Sequence, residues 1–216
     1  MSKIIYSEAR KKFPSNIDFS PLDKLPGKTI SLAAVIQYIE LIPKVKAYLK
    51  NKGMKVMLKQ GAFYEGHVIG CNSTAFDKKA DTLLLIGDGK FQAINNALQL
   101  DKEIYIFNPE TFEIITKDEI NELKKKIKGK INKFLMADNI GLIISTKYGQ
   151  NHKQIENLKK SIQSKGKNIS IFEGDNINIS EFENFPDIQM WVNTACYGMA
   201  MDSSKIVNYQ DVLGFL

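Results

Sequence analysis

The sequence predicts an α/β protein built of two related small domains, each a parallel sheet flanked by helices. Three observations carry that prediction. Short apolar, β-rich runs alternate with amphipathic helical patterns, the order that parallel α/β units produce. One layout of strand, polar turn, helix, Gly and strand occurs twice, in "TISLAAVIQYIELIPKVKAYLKNKGMKVML" from Thr29 and in "NIGLIISTKYGQNHKQIENLKKSIQSKGKNISIF" from Asn139. Leu32 aligns with Leu142, and Gly53 with Gly166 after a few inserted residues; self-similarity of this kind marks related units.

The elements follow in order. "SKIIYS" reads as a first strand and "KTISLAAVI" as a second. In "QYIELIPKVKAYLKNKG" the residues Ile39, Ile42, Val45 and Leu49 recur at helical spacing, with Gly53 as the stop signal. "MKVMLKQ" is the next strand. "ADTLLLIGDGKFQAINNALQL" runs from a continuous apolar strand through a Gly-rich turn into an amphipathic helix, and "KEIYIFNP" adds another strand. The basic run "KKKIKGKINK", residues 124–133, reads as a solvated helix end and linker, or else as a surface for nucleic acid or an acidic protein. The domain boundary is therefore expected near residues 125–138, with domains at 1–125 and 126–216.

Composition bounds the function. With 216 residues, 44% of them hydrophobic, the chain can bury a sizeable core. No apolar run approaches the roughly 20 residues that span a bilayer, and "MSKIIYSEAR" lacks the apolar core and cleavage site of a secretion signal. The expected location is cytoplasmic, without membrane contact. Much of the net charge of +6 lies in the basic run, and no direct nucleic-acid binding is expected. Two cysteines are no secreted disulfide framework, and in a reducing compartment such a pair is more often buried, metal-binding or catalytic than bridged.

Those cysteines are the main chemical signal. Each repeat is followed, after a loop, by a segment ending in one of them: Cys71 in "GHVIGCNSTA" and Cys196 in "WVNTAC". Two similar domains would each present a thiol from a comparable loop, and pseudo-symmetric packing would bring the thiols together. Thiolates suit iron–sulfur clusters, zinc or copper, yet a closed zinc site or a conventional cluster takes four ligands, which two cysteines do not supply. His67 and His152 are the further donors in the sequence, and both equally suit local hydrogen bonding. Two small buried apolar thiols, or a disulfide, remain open readings of the residues alone.

Two turns look suited to a ligand. Gly87 and Gly89 let the backbone turn sharply about Asp88 and leave amide donors at a helix N-terminus, facing a carboxylate or phosphate. "ISTKYGQ" has the same placement, with Thr146, Lys147, Gly149 and Gln150 as contacts to a ribose or carboxylate. Both turns fall at the carboxyl ends of parallel strands, where α/β ligand sites are built; ordinary strand–helix punctuation is the plainer alternative for each. Asn193 and Thr194, just before Cys196, complete the expected cofactor-binding set. Trp191, the single tryptophan, is read as core or interface packing, with cofactor stacking as the alternative.

Taken as an ordered set, "GHVIGCNSTA", "ADTLLLIGDGKF", "GLIISTKYGQ", "WVNTAC" and "MAMD" make the chain similar to the archaeal diphthamide synthase family, the 2-(3-amino-3-carboxypropyl)histidine synthases, over nearly all of its length. That resemblance implies three related α/β domains, each donating one cysteine to a 4Fe-4S cluster whose open iron binds S-adenosylmethionine. It implies reductive cleavage to a 3-amino-3-carboxypropyl radical, which attacks a histidine of translation elongation factor 2. Cys71 and Cys196 match the cysteines of the second and third domains and become the expected metal ligands. The chain starts where the family's second domain starts, so a homologous chain or separate domain is expected to supply the third cysteine.

It also departs from the family pattern. Phe91-Gln92-Ala93 stand where the family usually has Phe-His-Pro, Tyr197-Gly198 replace the Pro-Arg that usually follows the last cysteine, and Ser203 replaces one Asp of a closing pair. Loss of the arginine removes a fork able to hold a carboxylate bidentately. The readings are thus a transferase-like chain that needs a partner, a noncatalytic binding or assembly subunit of the same kind, or an unrelated small-molecule-binding protein.

Overall fold

The computed structural model describes residues 7–147 and 155–216. It divides into two compact units, Met1–Asn121 and Glu122–Leu216. The expected strand "SKIIYS" lies outside the described residues apart from Ser7.

The first unit is a five-stranded sheet in the order β2-β1-β3-β4-β5, with β1 at Thr29–Ala34, β2 at Lys55–Met57, β3 at Thr82–Ile86, β4 at Ile104–Phe107 and β5 at Phe112–Ile115. The first four strands are parallel, and β5 is antiparallel to β4. β1 and β3 are buried along almost their whole length, which is why they read as unbroken apolar runs rather than alternating ones. The stretch expected as one helix is a 3-10 turn, Ile36–Leu41, leading into α1 at Ile42–Asn51. Pro43 sits in the first turn of α1, where its missing N–H costs nothing. Ile42, Val45 and Leu49 are the face it buries, each worth about 1.5–3 kcal/mol relative to exposure. Gly53 ends the element at φ +80°, a left-handed conformation that glycine adopts without strain. α2, Phe91–Leu100, follows the Gly-Asp-Gly turn as expected.

The second unit holds a four-stranded, all-parallel sheet in the order β7-β6-β8-β9, with β6 at Asn139–Ser145, β7 at Asn168–Gly174, β8 at Met190–Asn193 and β9 at Ile206–Asn208. α4 spans Ile155–Ser164 and α5 Tyr209–Val212. Alternation splits the core across the two faces of the sheet: Ile140, Leu142, Met190 and Val192 on one, Ile143 and Trp191 on the other. Trp191 is 1% exposed, stacked on Phe182 with ring centroids 4.0 Å apart and edge-on to Phe172 at 4.6 Å. Its room comes from Gly141, its register partner on β6, where a Cβ would stand 2.3 Å from Trp191 Cε3.

Three sequence expectations change. The basic run 124–133 is the interior of one 20-residue helix, α3, Lys117–Met136, and not a helix end with a linker. The helix is nucleated by a capping box: Thr116 Oγ1 accepts from the Glu119 N–H at 3.2 Å, and Glu119 Oε2 accepts from the Thr116 N–H at 2.8 Å. Lysine is a good helix former, so the run continues through Gly129. The first sheet is not purely parallel, because β5 folds back on β4 through a turn tied by Asn108, whose Oδ1 accepts from Glu110 and Thr111 N–H. Finally, the two cysteines do not occupy comparable loops. The sheet orders place β2-β1-β3-β4 against β7-β6-β8-β9. Cys71 lies in the segment between β2 and β3, whereas Cys196 follows β8 and so corresponds in topology to the Gly-Asp-Gly turn after β3.

Candidate functional site

Both thiols nevertheless lie at the carboxyl ends of their own sheets. In the first unit, the chain after β2 crosses the end of β1: Ala34 N–H donates to Gly66 O at 2.8 Å and Val68 N–H to Ala34 O at 2.9 Å. This tight passage brings His67 against Ala34 and leads into a turn in which the Asn72 N–H donates to Ile69 O at 3.2 Å. Cys71, exposed and unpaired, sits in that turn. Asn96 of α2 holds its base, donating from Nδ2 to Ile69 O at 3.3 Å and to Gln92 O at 2.7 Å. Gly70 fits because a Cβ there would meet Phe91 Cε1 at 3.1 Å.

The Gly-Asp-Gly turn leaves the end of the neighbouring strand β3. Gly89 has φ +67°, and a Cβ on Gly87 would press on Val35 at 3.2 Å. Asp88 is engaged within the protein: Lys11 Nζ lies 2.6 Å from its Oδ2, and the Tyr38 hydroxyl donates to its Oδ1. Burial works to raise the Asp88 pKa, but the Lys11 and Tyr38 hydrogen bonds outweigh it and hold the carboxyl below its ordinary range. Asn108 Nδ2 donates to Gly87 O at 3.3 Å, tying the β4–β5 turn to this one. His67 is buried, with rings of Phe63 and Tyr64 5.6 and 6.0 Å away, and burial lowers its pKa.

In the second unit the thiol stands directly above β8. Cys196 is half-buried and unpaired, and begins the 3-10 turn Tyr197–Met201. Its carbonyl accepts from the Met199 N–H at 3.1 Å and from Asn193 Nδ2 at 2.8 Å. Asn193, 1% exposed, spends its whole carboxamide here: Nδ2 also donates to Asn208 Oδ1 at 2.8 Å, and Oδ1 accepts from the Ala195 N–H at 3.0 Å. Thr194 is likewise turned inward, its Oγ1 donating to Ile143 O at 2.7 Å. Thr146 and Lys147 are exposed at the end of the adjacent strand β6. Gly149, Gln150 and His152 lie outside the described residues. Trp191 packs in the core of this unit, as above.

Sequence reasoning missed a half-buried ionisable group behind the Cys196 turn. Burial pushes the Tyr197 hydroxyl up to about 12, aided by Asp211 3.3 Å away, and raises the Asp211 pKa as well. Lys130 of α3 donates from Nζ to Ala200 O, and its own pKa is lowered by burial. Helical position within the basic run was the one available signal for Lys130, whereas nothing local marks Asp211 as a partner of Tyr197. Among the described residues no group of three or more His, Cys, Asp or Glu gathers to hold a metal ion. The soft donors are therefore the two separate thiols.

A family model described as "Putative diphthamide synthesis protein" matches residues 3–212. The chain belongs to that family. The 2-(3-amino-3-carboxypropyl)histidine synthase of Methanocaldococcus jannaschii is 28% identical over 190 residues, covering 86% of this chain and 49% of the relative. The synthase of the same name from Pyrococcus horikoshii is 24% identical over 180 residues, covering 82% and 52%. Subunit 1 of the Schizosaccharomyces pombe synthase is 26% identical, covering 82% and 44%. This diphthamide synthesis family member thus spans about half the length of the curated relatives it matches. Among solved structures, Dph2 from Pyrococcus horikoshii superposes with a TM-score of 0.79 at 23% identity over 90% of this chain and 59% of the other. A structure of the same protein with a 4Fe-4S cluster gives 0.78 at 24%, covering 89% and 58%. These likenesses establish the fold.

Proposed function

We propose that this chain takes part in diphthamide synthesis by supplying two thiolate ligands, Cys71 and Cys196, to a 4Fe-4S cluster. The observation that carries the reading is the pair of unpaired thiols, each presented at the carboxyl end of its own parallel sheet by a clamped turn, in a chain matched by the family model almost throughout. The donors fit the group in chemical type, since thiolates are the usual cluster ligands. They do not suffice in number, so the third thiolate comes from a homologous chain or a separate domain. When bound, such a cluster would supply one reducing electron to the sulfonium of S-adenosylmethionine, breaking its bond to the aminocarboxypropyl carbon to give a 3-amino-3-carboxypropyl radical for a histidine of elongation factor 2, with methylthioadenosine as the leaving group.

The chain's own residues have distinct roles in this reading. Asn193 and Thr194 position Cys196 from below, and Asn96 positions Cys71. Within its own unit, the Gly87–Gly89 turn is suited to a polar part of S-adenosylmethionine, and so, in the other unit, are the exposed Thr146 and Lys147, Lys147 offering a cation to a carboxylate; Gly149 and Gln150 lie outside the described residues. Asp88, held as a carboxylate by Lys11, keeps the turn in shape and offers an acceptor for the ligand's ammonium group. We place the work in the cytoplasm, where the elongation factor is found.

A second reading, a noncatalytic assembly subunit, is favoured by the Gly198 that stands where the family usually carries arginine. Anaerobic reconstitution with iron and sulfide, with and without a homologous chain bearing the third cysteine, separates the two. A cluster that depends on Cys71 and Cys196, together with transfer of labelled aminocarboxypropyl to elongation factor 2, supports the first. Transfer with the partner that is indifferent to both cysteine substitutions leaves only the second.

A further inference from the structure

α2 carries two adjacent asparagines on its buried face, Asn95 at 1% and Asn96 at 0% exposure. Buried carboxamides are normally satisfied on both ends. Asn96 uses its donors on Ile69 and Gln92, as described, while its Oδ1 has no partner. Asn95 is odder, since neither Nδ2 nor Oδ1 has a partner. Its Nδ2 lies 3.6 Å from the point where a Cβ on Gly70 would stand, directly beneath the residue that precedes Cys71. Either orientation of the amide leaves it unsatisfied, so the O/N assignment does not matter.

A polar group buried without a partner lowers stability, a loss that an apolar side chain of the same branching, such as the bulkier leucine, would not incur. Asn95 thus stabilises nothing by hydrogen bonding among the described residues, and it lies under a turn that presents a thiol. We propose that Asn95 is a positioning residue for the sulfur held at Cys71: its Nδ2–H is the donor that the thiolate, or a sulfide beside it, engages once metal is bound. This rests on the ligand role assigned to Cys71 above. No bond is made or broken; the carboxamide donates a charge-assisted hydrogen bond to an anionic sulfur, which a neutral thiol accepts only weakly.

The test uses the full chain and its Asn95→Leu variant, with Asn95→Ala as a second variant should the first fold poorly. Thermal unfolding of the metal-free protein is expected to rise by about 2–4 °C in Asn95→Leu, since an unsatisfied group is removed from a chain of this size. Cadmium titration, read by thiolate-to-metal charge-transfer absorbance, is expected to weaken about tenfold, the loss of one charge-assisted hydrogen bond. The reconstituted cluster is expected to be lost to a chelator correspondingly faster. If the wild-type chain takes up cadmium in an Asn95-dependent way but no cluster with any partner, the cluster reading falls and the donor role stands. Unchanged cadmium affinity in whichever of the two variants folds overturns the donor role whatever the cluster does.

Discussion

Replacing Asn193 with alanine tests the clamp under Cys196 most directly. The side chain is buried and makes three hydrogen bonds, to Cys196 O and Asn208 Oδ1 at 2.8 Å and from Ala195 N–H at 3.0 Å. At a net value of about 1 kcal/mol each, their loss amounts to about 3 kcal/mol. Asn208 is itself 3% exposed, and leaving its Oδ1 without that donor adds roughly 1–2 kcal/mol of desolvation. The expected destabilisation is therefore about 4 kcal/mol, a large share of the roughly 5–15 kcal/mol that holds a domain folded. Urea unfolding followed by tryptophan fluorescence reads it cleanly, because the only tryptophan, Trp191, lies on the same strand. Cys196 should also alkylate faster in the folded variant, with Cys71 in the other unit as an internal control. A destabilisation below about 1 kcal/mol would refute the clamp, since the Cys196 and Asn208 oxygens would then have other donors.

Other expectations follow from the same geometry. Gly141→Ala places a Cβ 2.3 Å from Trp191 Cε3, and Trp191 is pinned by Phe182, so at least about 3 kcal/mol should be lost from the second unit, with a loss of near-ultraviolet dichroism. Cys71→Ala and Cys196→Ala should each abolish partner-dependent cluster absorbance, and the double substitution should do no more; a variant keeping half the colour would argue against shared ligation. Asp81 accepts backbone N–H bonds from Lys28 and Thr29 at 2.9 Å each, which lower its pKa. Its folded pKa is depressed, so its contribution is present above the unfolded value near ~3.9 and is lost as pH falls through the folded one. Asp81→Asn should therefore be less stable at pH 7 and show a shallower decline on acidification, measured by denaturation midpoints between pH 6 and the acid limb.

Strands β1, β3, β4 and β6 were legible because their burial is nearly continuous, and a run such as Leu83–Ile86 has few other uses, whereas the short β8 and β9 were not read as strands although they are fully buried. α1, α2 and α4 were legible from their spacing. α3 was misread because lysine content suggests solvent, while the signal for one long helix was the Thr116 to Glu119 capping box at its start. β5 was missed for a related reason: the turn at Asn108 works through side-chain hydrogen bonds that its short, mixed sequence does not announce. For the site, residue type told which atoms could act but not which way they faced. Asn193 and Thr194 read as ligands for a cofactor because they are polar and precede a cysteine, yet burial turns both toward backbone carbonyls. Asn95 carried no signal at all, since only the packed helix reveals that its carboxamide goes without a partner.

The place of β7 at the edge of its sheet bears on how the protein behaves in concentrated solution. Among the described residues its outer backbone groups have no strand to pair with, and Ile171 is 41% exposed along that edge, a template for strand addition by a second copy. No Lys or Arg occurs from Asn168 to Ser204, while Glu173, Asp175, Glu181 and Glu183 do, so at neutral pH two such edges meet with the same negative sign. Salt screens a repulsion between exposed like charges within about a Debye length. Self-association through β7 would therefore set in as ionic strength rises, although the net charge of +6 alone would keep copies of the chain apart at low salt.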